Sequence, residues 1–157
     1  MKVRFRYGGT VDFAFEHCDI HDLTINNINA KQSRRTLMTA YDDNNIFARI
    51  LRGEIPCKKV FEDDYVLAFD DIAPKAPVHI LVIPKGKYIA IDDFGANAGA
   101  EEIKGFYAAI AKVVSEKGLS EAGFRVIANA GINGGQEVPH FHMHILGGRK
   151  IGPMVHA

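Results

Sequence analysis

A chain of 157 residues with 47% hydrophobic and 24% charged side chains has the size and composition of one globular domain able to fill a core. Nineteen Lys and Arg balance nineteen Asp and Glu, which argues against a broad surface for nucleic acid or membrane, so any anionic ligand must be held locally. Cys18 and Cys57 are too few for a disulfide framework and form no CxxC pair, and neither a long apolar run nor a secretory apolar segment is present, so the expected location is the cytoplasm.

The first segment, KVRFRYGGTVDFAF, alternates Val3, Phe5 and Tyr7, then Val11, Phe13 and Phe15, around Gly8-Gly9. Period and turn chemistry predict a β-hairpin. The following HCDIHDLTINNINAKQSRR has little periodicity. A two-stranded hairpin is marginal by itself, so residues 1–37 are expected to be docked on something or poorly ordered.

From Asp42 the pattern becomes regular. DDNNIFARILRGEIP offers Asp and Asn caps, an apolar stripe of Ile46, Phe47, Ile50 and Leu51, and Gly53 and Pro56 as stops, which predicts a short amphipathic helix. KKVFED and YVLAFDD flank Asp63-Asp64 as a hairpin, APKAP is a loop, and VHILVIPK is an apolar strand. AEEIKGFYAAIAKVVSEKG sets Ile103, Phe106, Tyr107, Ile110, Val113 and Val114 on one helical face, with acids early, Lys117 late and Gly118 after it. FRVIAN is a strand, AGINGGQ a glycine loop and VPHFHMHIL the last strand. These elements make an α+β domain with a largely antiparallel sheet and no internal repeat.

In that last strand His140, His142 and His144 share one face, while Phe141, Met143 and Ile145 share the other and form its buried back. The outer pair would stand about 13 Å apart on an extended strand, whereas zinc holds each imidazole nitrogen at about 2.0 to 2.1 Å. Three histidines on one ion are therefore disfavoured, although two neighbours could share one. Just upstream, Gly131, Gly134 and Gly135 permit positive φ and let backbone amides face one spot, which suits phosphate oxygens. An ordinary β-turn is the alternative for such a loop.

HFHMHILGG resembles the His-x-His-x-His-x-x signature of the histidine-triad (HIT) superfamily. The surrounding DNNIFARILRGEIP, LAFDDIAPKAPVHILVIPK and VIANAGINGGQEVPH are similar to its Hint branch of purine nucleoside phosphoramidases, of bacterial type, over residues 38 to 154. The resemblance implies a HIT-like fold, a largely antiparallel five-stranded sheet with one long and one short helix. It also implies a homodimer that continues the sheet across its two-fold axis and packs the long helices, residues 100 to 117.

The same resemblance implies a mechanism and a set of site residues. His142 would attack the α-phosphorus and carry a nucleotidyl-histidine intermediate, with a backbone carbonyl near His140 accepting the other ring proton. His144 and His79 would surround the phosphate and leaving group, and His140 would support them. Asp71, rather than Asp70, would bind the ribose hydroxyls. Ile46, Phe47, Ile50, Phe69 and Leu81 would form the purine slot, and Asn129, Gly135, Gln136 and Val138 the phosphate side. For the apolar members a plain core role is the competing reading. The implied partner is a purine nucleotide, with no nucleic acid, no membrane, no metal and no other cofactor.

Three departures from the family pattern carry expectations of their own. Glu137 follows Gln136 where many animal members have a small hydroxyl residue, so a carboxylate near the departing amine should favour cationic leaving groups such as lysyl amides. Pro139 replaces an aromatic and removes one backbone donor, which bears on local strand pairing. The C-terminal GPMVHA lacks the tryptophan of animal relatives, in which this tail reaches the partner's site.

Short members of the branch begin near Met38, so residues 1–37 are read as an extension or an upstream-start artefact, with 38–157 as the HIT domain. An intact mass of the native protein that includes those residues would sink the second option. The alternatives to phosphoramidase are dinucleoside polyphosphate hydrolysis, nucleotidyl transfer, and a nucleotide-binding or scaffold role with weak catalysis.

Overall fold

The computed structural model describes residues 40–154 and the backbone of two short strands, β1 (Lys2–Arg4) and β2 (Thr10–Asp12). The chain divides into two compact units, Met1–Met38 and Thr39–Ala157. In the first unit β1 and β2 pair antiparallel, as the alternation predicts, in a register that sets Val3 opposite Val11 and that no sequence expectation specified. The expected turn at Gly8-Gly9, and Phe5, Tyr7, Phe13 and Phe15, lie outside the described residues.

The second unit opens with α1 (Ile46–Leu51), whose N-cap is Asn45: its side-chain oxygen accepts from the amides of Phe47 and Ala48. β3 (Lys59–Glu62) and β4 (Val66–Asp70) form the expected hairpin, closed by Asp63, which accepts from the amides of Tyr65 and Val66. β5 (Val78–Pro84) follows, then α2 (Ile91–Asn97), α3 (Ala100–Glu116), α4 (Leu119–Ala122), β6 (Arg125–Ile127) and β7 (Met143–Gly147). The sheet is five-stranded and antiparallel throughout, in the order β3-β4-β5-β7-β6.

Strand alternation sorts the two faces. Val66 and Ala68 of β4, Ile80 and Val82 of β5, and Met143 and Ile145 of β7 face α3 and pack with Phe106, Ile110 and Val113. Leu67, Phe69, Leu81 and Ile83 face the opposite way and pack with Phe47 of α1. The second face, where α1 covers only part of the sheet, is the one that carries the histidines.

Three expectations need correction. Tyr107 is 52% exposed rather than buried, because it lies at the margin of the α3 stripe, and small Ala109 takes the buried place on the other margin. α2 was absent from the sequence reading. Its N-cap, Ala90, makes no side-chain cap bond, and its anchor is Phe94, which stacks on Phe141 with centroids 4.8 Å apart. Finally, the last strand starts at Met143 and not at Val138. Pro139 has no N–H to give, the His140 amide turns back to the Val138 carbonyl, and the Phe141 amide donates to the Tyr88 carbonyl instead of to a neighbouring strand. The in-and-out alternation nonetheless persists: Phe141 is core, and His140 and His142 are buried on the other side.

Candidate active site

Four imidazoles meet on the α1 side of the sheet. Phe47 of α1 stands edge-on to His142, with centroids 5.1 Å apart, and to His140, at 6.1 Å. His144 of β7 is opposite Leu81 of β5, so His79 of β5 is its diagonal neighbour across the ladder.

Fixed donors and acceptors determine where the ring protons sit. The Nδ1 of His142 is 2.7 Å from the carbonyl oxygen of His140, which can only accept, so Nδ1 carries the proton and Nε2 keeps its lone pair. The Nε2 of His140 lies 3.0 Å from the Pro84 carbonyl and therefore carries its proton, leaving Nδ1 to accept from the Tyr41 hydroxyl. The backbone amide of Lys75 donates to Nδ1 of His79 at 3.2 Å, so that ring is protonated on Nε2 and donates to Nδ1 of His144 at 2.9 Å. The remaining proton of His144 is then on Nε2, a buried atom with no hydrogen-bond partner among the described residues. A buried donor without a partner costs about 1 to 3 kcal/mol, so a ligand oxygen or nitrogen is the natural complement to it.

Burial holds these rings neutral. Desolvation pushes His140 and His144 down to about 4, and lowers His142 and His79 below the ordinary histidine value of 6.5. For His140 the bond to Pro84 opposes this, and for His142 the bond to the His140 carbonyl does.

Asp71 Oδ2 lies 3.4 Å from Nε2 of His79, and Asp71, His79 and His144 bring one ligand atom each within 4.8 Å of one another. The nitrogens of His79 and His144 are engaged in the proton chain just described, and Asp71 Oδ1 accepts from the Ala73 amide. An ion there would require the His79 proton to move to Nδ1, against the Lys75 amide that points at it. The donor set fits a relay better than a metal cage.

Beside the histidines opens a cavity of about 900 Å³. Ile46, Phe47, Ile50, Phe69, Leu81 and Val138 line its apolar wall and Asp71, His79 and Glu137 its polar one, all of them singled out in the sequence, and Asp70, Lys58 and Lys117 line it as well. His142 and His144 adjoin it through Phe47 and His79. Ile55, Pro56, Cys57 and Ile72 also line it and were missed, since Pro56 and its neighbours read only as a helix stop.

Asn129, Gly135 and Gln136 do not line this cavity. Gly131 and Gly135 do take positive φ, whereas Gly134 does not; a Cβ on Gly134 would meet the Ala130 carbonyl oxygen at 2.4 Å. The Gln136 amide is spent on the loop: it accepts from the Gly131 amide and donates to the carbonyls of Ile89 and Val138. Tyr41 was also missed. It sits 99 positions from His140, and no local pattern connects the two.

The sequence profile of the HIT domain matches residues 52–151. The chain belongs to the HIT domain family. This HIT protein is 56% identical over 115 residues to an uncharacterized 13.2 kDa HIT-like protein of Azospirillum brasilense, covering 73% of this chain and 94% of the relative. It is 43% identical over 113 residues to the purine nucleoside phosphoramidase of Escherichia coli strain K12, covering 72% of this chain and 94% of that protein. A crystal structure of a HIT family hydrolase from Legionella pneumophila superposes with a TM-score of 0.65 at 43% identity, over 69% of this chain and 96% of that one. The family resemblance read from the four sequence blocks is borne out, and the chain is a HIT-type hydrolase. No helix among its described residues is long and apolar enough to cross a membrane.

Proposed function

We propose that this chain hydrolyses purine nucleoside 5'-phosphoramidates to nucleoside monophosphate and amine through a nucleotidyl-histidine intermediate. The observation that carries the reading is the ring of His142: Nδ1 is tied to the His140 carbonyl, and Nε2 keeps a free lone pair on a ring that burial holds neutral.

In the first step Nε2 of His142 bonds to the α-phosphorus and the phosphorus–nitrogen bond breaks. The proton on Nε2 of His144 goes to the departing amine, and the imidazolate that remains is stabilised through its Nδ1 by the Nε2–H of His79 until the second step returns a proton to it. The His142 ring is cationic while it carries the nucleotide, and its Nδ1–H bond to the His140 carbonyl strengthens accordingly. In the second step water attacks phosphorus, His144 takes the proton, and the phosphorus–His142 bond breaks. Asp71 serves the ribose hydroxyls and the wall of Phe47, Phe69 and Leu81 serves the purine, while Asn129, Gly135 and Gln136, which lie off this cavity, serve the phosphate side through the backbone of the loop that the Gln136 side chain braces.

The reading extends to a cytoplasmic homodimer of the 38–157 domain, for which the edge position of β6 and the half-exposed Tyr107 of α3 offer support. The test is hydrolysis of adenosine 5'-phosphoramidate by the full chain beside His142→Ala, in chelator-treated buffer. Turnover that the substitution abolishes and the chelator spares is the expected result. Binding of adenosine monophosphate without any turnover by the wild type would instead favour a binding role.

A further inference from the structure

His142 can attack only if the His140 carbonyl stays where it aims the His142 ring, and the backbone there is not held by a regular strand ladder. Regular pairing of β7 begins at Met143, Pro139 has no amide to donate, and the His140 amide bonds only to Val138 nearby in the chain. Two things fix His140: the Phe141 amide, in the same peptide plane as the His140 carbonyl, donates to the Tyr88 carbonyl, and the His140 side chain is anchored on both ring nitrogens. The ring is fully buried, its Nε2–H donates to the carbonyl of Pro84 at the end of β5, and its Nδ1 faces the hydroxyl of Tyr41. The Tyr41 ring packs edge-on against it, with centroids 5.6 Å apart.

Tyr41 is itself held. The turn that follows it is closed by Asn45, whose backbone and side-chain N–H groups both donate to the Asp42 carbonyl. Arg52, just past α1, donates to the Asp43 carbonyl, and Lys87 pairs with the Asp43 carboxylate at 2.7 Å. Two separate parts of the domain thus anchor the segment that presents the hydroxyl.

We infer that Tyr41 is a positioning residue: its hydroxyl donates to Nδ1 of His140, locks that ring as the Nε2–H tautomer, and through the His140 carbonyl sets the aim of His142. The bond chain runs from Tyr41 O–H to His140 Nδ1, then from His140 Nε2–H to Pro84, and from His142 Nδ1–H to the His140 carbonyl. Removing the first donor leaves a buried lone pair on Nδ1, which the ring can relieve only by taking a second proton or by turning away from Pro84.

The inference rests on the proposed function only for its kinetic consequence, so the test has two arms. Imidazole nitrogen NMR of the full-length wild type should show His140 as a single Nε2–H tautomer and His142 as a single Nδ1–H tautomer. In Tyr41→Phe, which keeps the ring and removes the donor, His140 should lose its single state and the His142 Nδ1–H signal should broaden or shift. Fluorinated tyrosine incorporated throughout, a stronger donor of nearly the same size, should move the His140 Nδ1 signal the opposite way and cover the case of a poorly folded Tyr41→Phe.

In the kinetic arm, Tyr41→Phe should lower kcat about 10- to 100-fold with little change in KM, as expected for a misaimed nucleophile in an intact pocket. Unchanged signals from both histidines, or a changed His140 signal with full kcat, would overturn the inference. A wild type that turns nothing over would defeat the phosphoramidase reading alone, and the NMR arm would then decide the role of Tyr41.

Discussion

His79 and His144 are joined nitrogen to nitrogen, with Nε2 of the first 2.9 Å from Nδ1 of the second. The Lys75 amide sets the direction of that bond, and the result is a proton on the outer nitrogen of His144, which no partner among the described residues meets. His144→Ala should therefore cost about 10² to 10⁴ in kcat toward an amine leaving group, the usual range for a general acid. Nitrophenol, which leaves without a proton, should shrink that loss sharply when nucleoside nitrophenyl phosphate is the substrate. An equal loss on both substrates would show that His144 does not act as the acid.

The depressed titration of the histidines gives a pH signature with a definite sign. His142 titrates below 6.5, so kcat/KM should already be on its plateau at neutral pH and should fall only as His142 takes a proton at more acid pH. An inflection above 6.5 in the free enzyme would contradict this.

Stability follows the same logic through His140. The unfolded ring takes a proton below about 6.5, while the folded ring resists until about 4, so the folded state loses stability as pH falls through that window. The full loss for this buried ring is on the order of 3 kcal/mol, and the more exposed His144 adds a smaller amount. Urea unfolding between pH 7 and pH 4 measures it, and a flat profile across the window would rule the effect out.

Asn45 is buried and caps a helix of only six residues whose Phe47 touches two of the triad rings. Asn45→Ala should cost about 1 kcal/mol of stability and reduce kcat modestly by loosening Phe47. Asn45→Asp keeps the accepting oxygen and should recover most of that stability. Equal losses in the two variants would mean that capping is not the cause.

Glu137 lines the cavity, and its charge is felt at His142. If it faces the departing amine, Glu137→Gln should lower kcat/KM for a lysyl phosphoramidate a few-fold, the size of an exposed ion pair worth about 0.2 to 1 kcal/mol, and leave the unsubstituted phosphoramidate unchanged. Similar kinetics of the wild type on the two substrates would remove the basis for this preference.

The sequence by itself determined the α+β architecture, the hairpin at Asp63, the long helix and the single face shared by His140, His142 and His144. These depend on periods of two and 3.6 residues and on local cap and turn chemistry, which any folded context must respect. The apolar wall of the cavity was legible through the four family blocks.

Tertiary structure decided the rest. α2 joins a local signal, Asp93 accepting from the Ile89 amide, to a tertiary one, Phe94 stacked on Phe141, and the second is not visible in the sequence. Tyr41 meets His140 across 99 positions, and regular pairing starts only at Met143, with the Phe141 amide on the Tyr88 carbonyl instead of on a neighbouring strand. The ring protons, too, were settled by Lys75, Pro84 and the His140 carbonyl. Periodicity reports which side of an element is buried, but a hydrogen bond needs a specific donor within about 3 Å of a specific acceptor, and only the folded chain sets that distance.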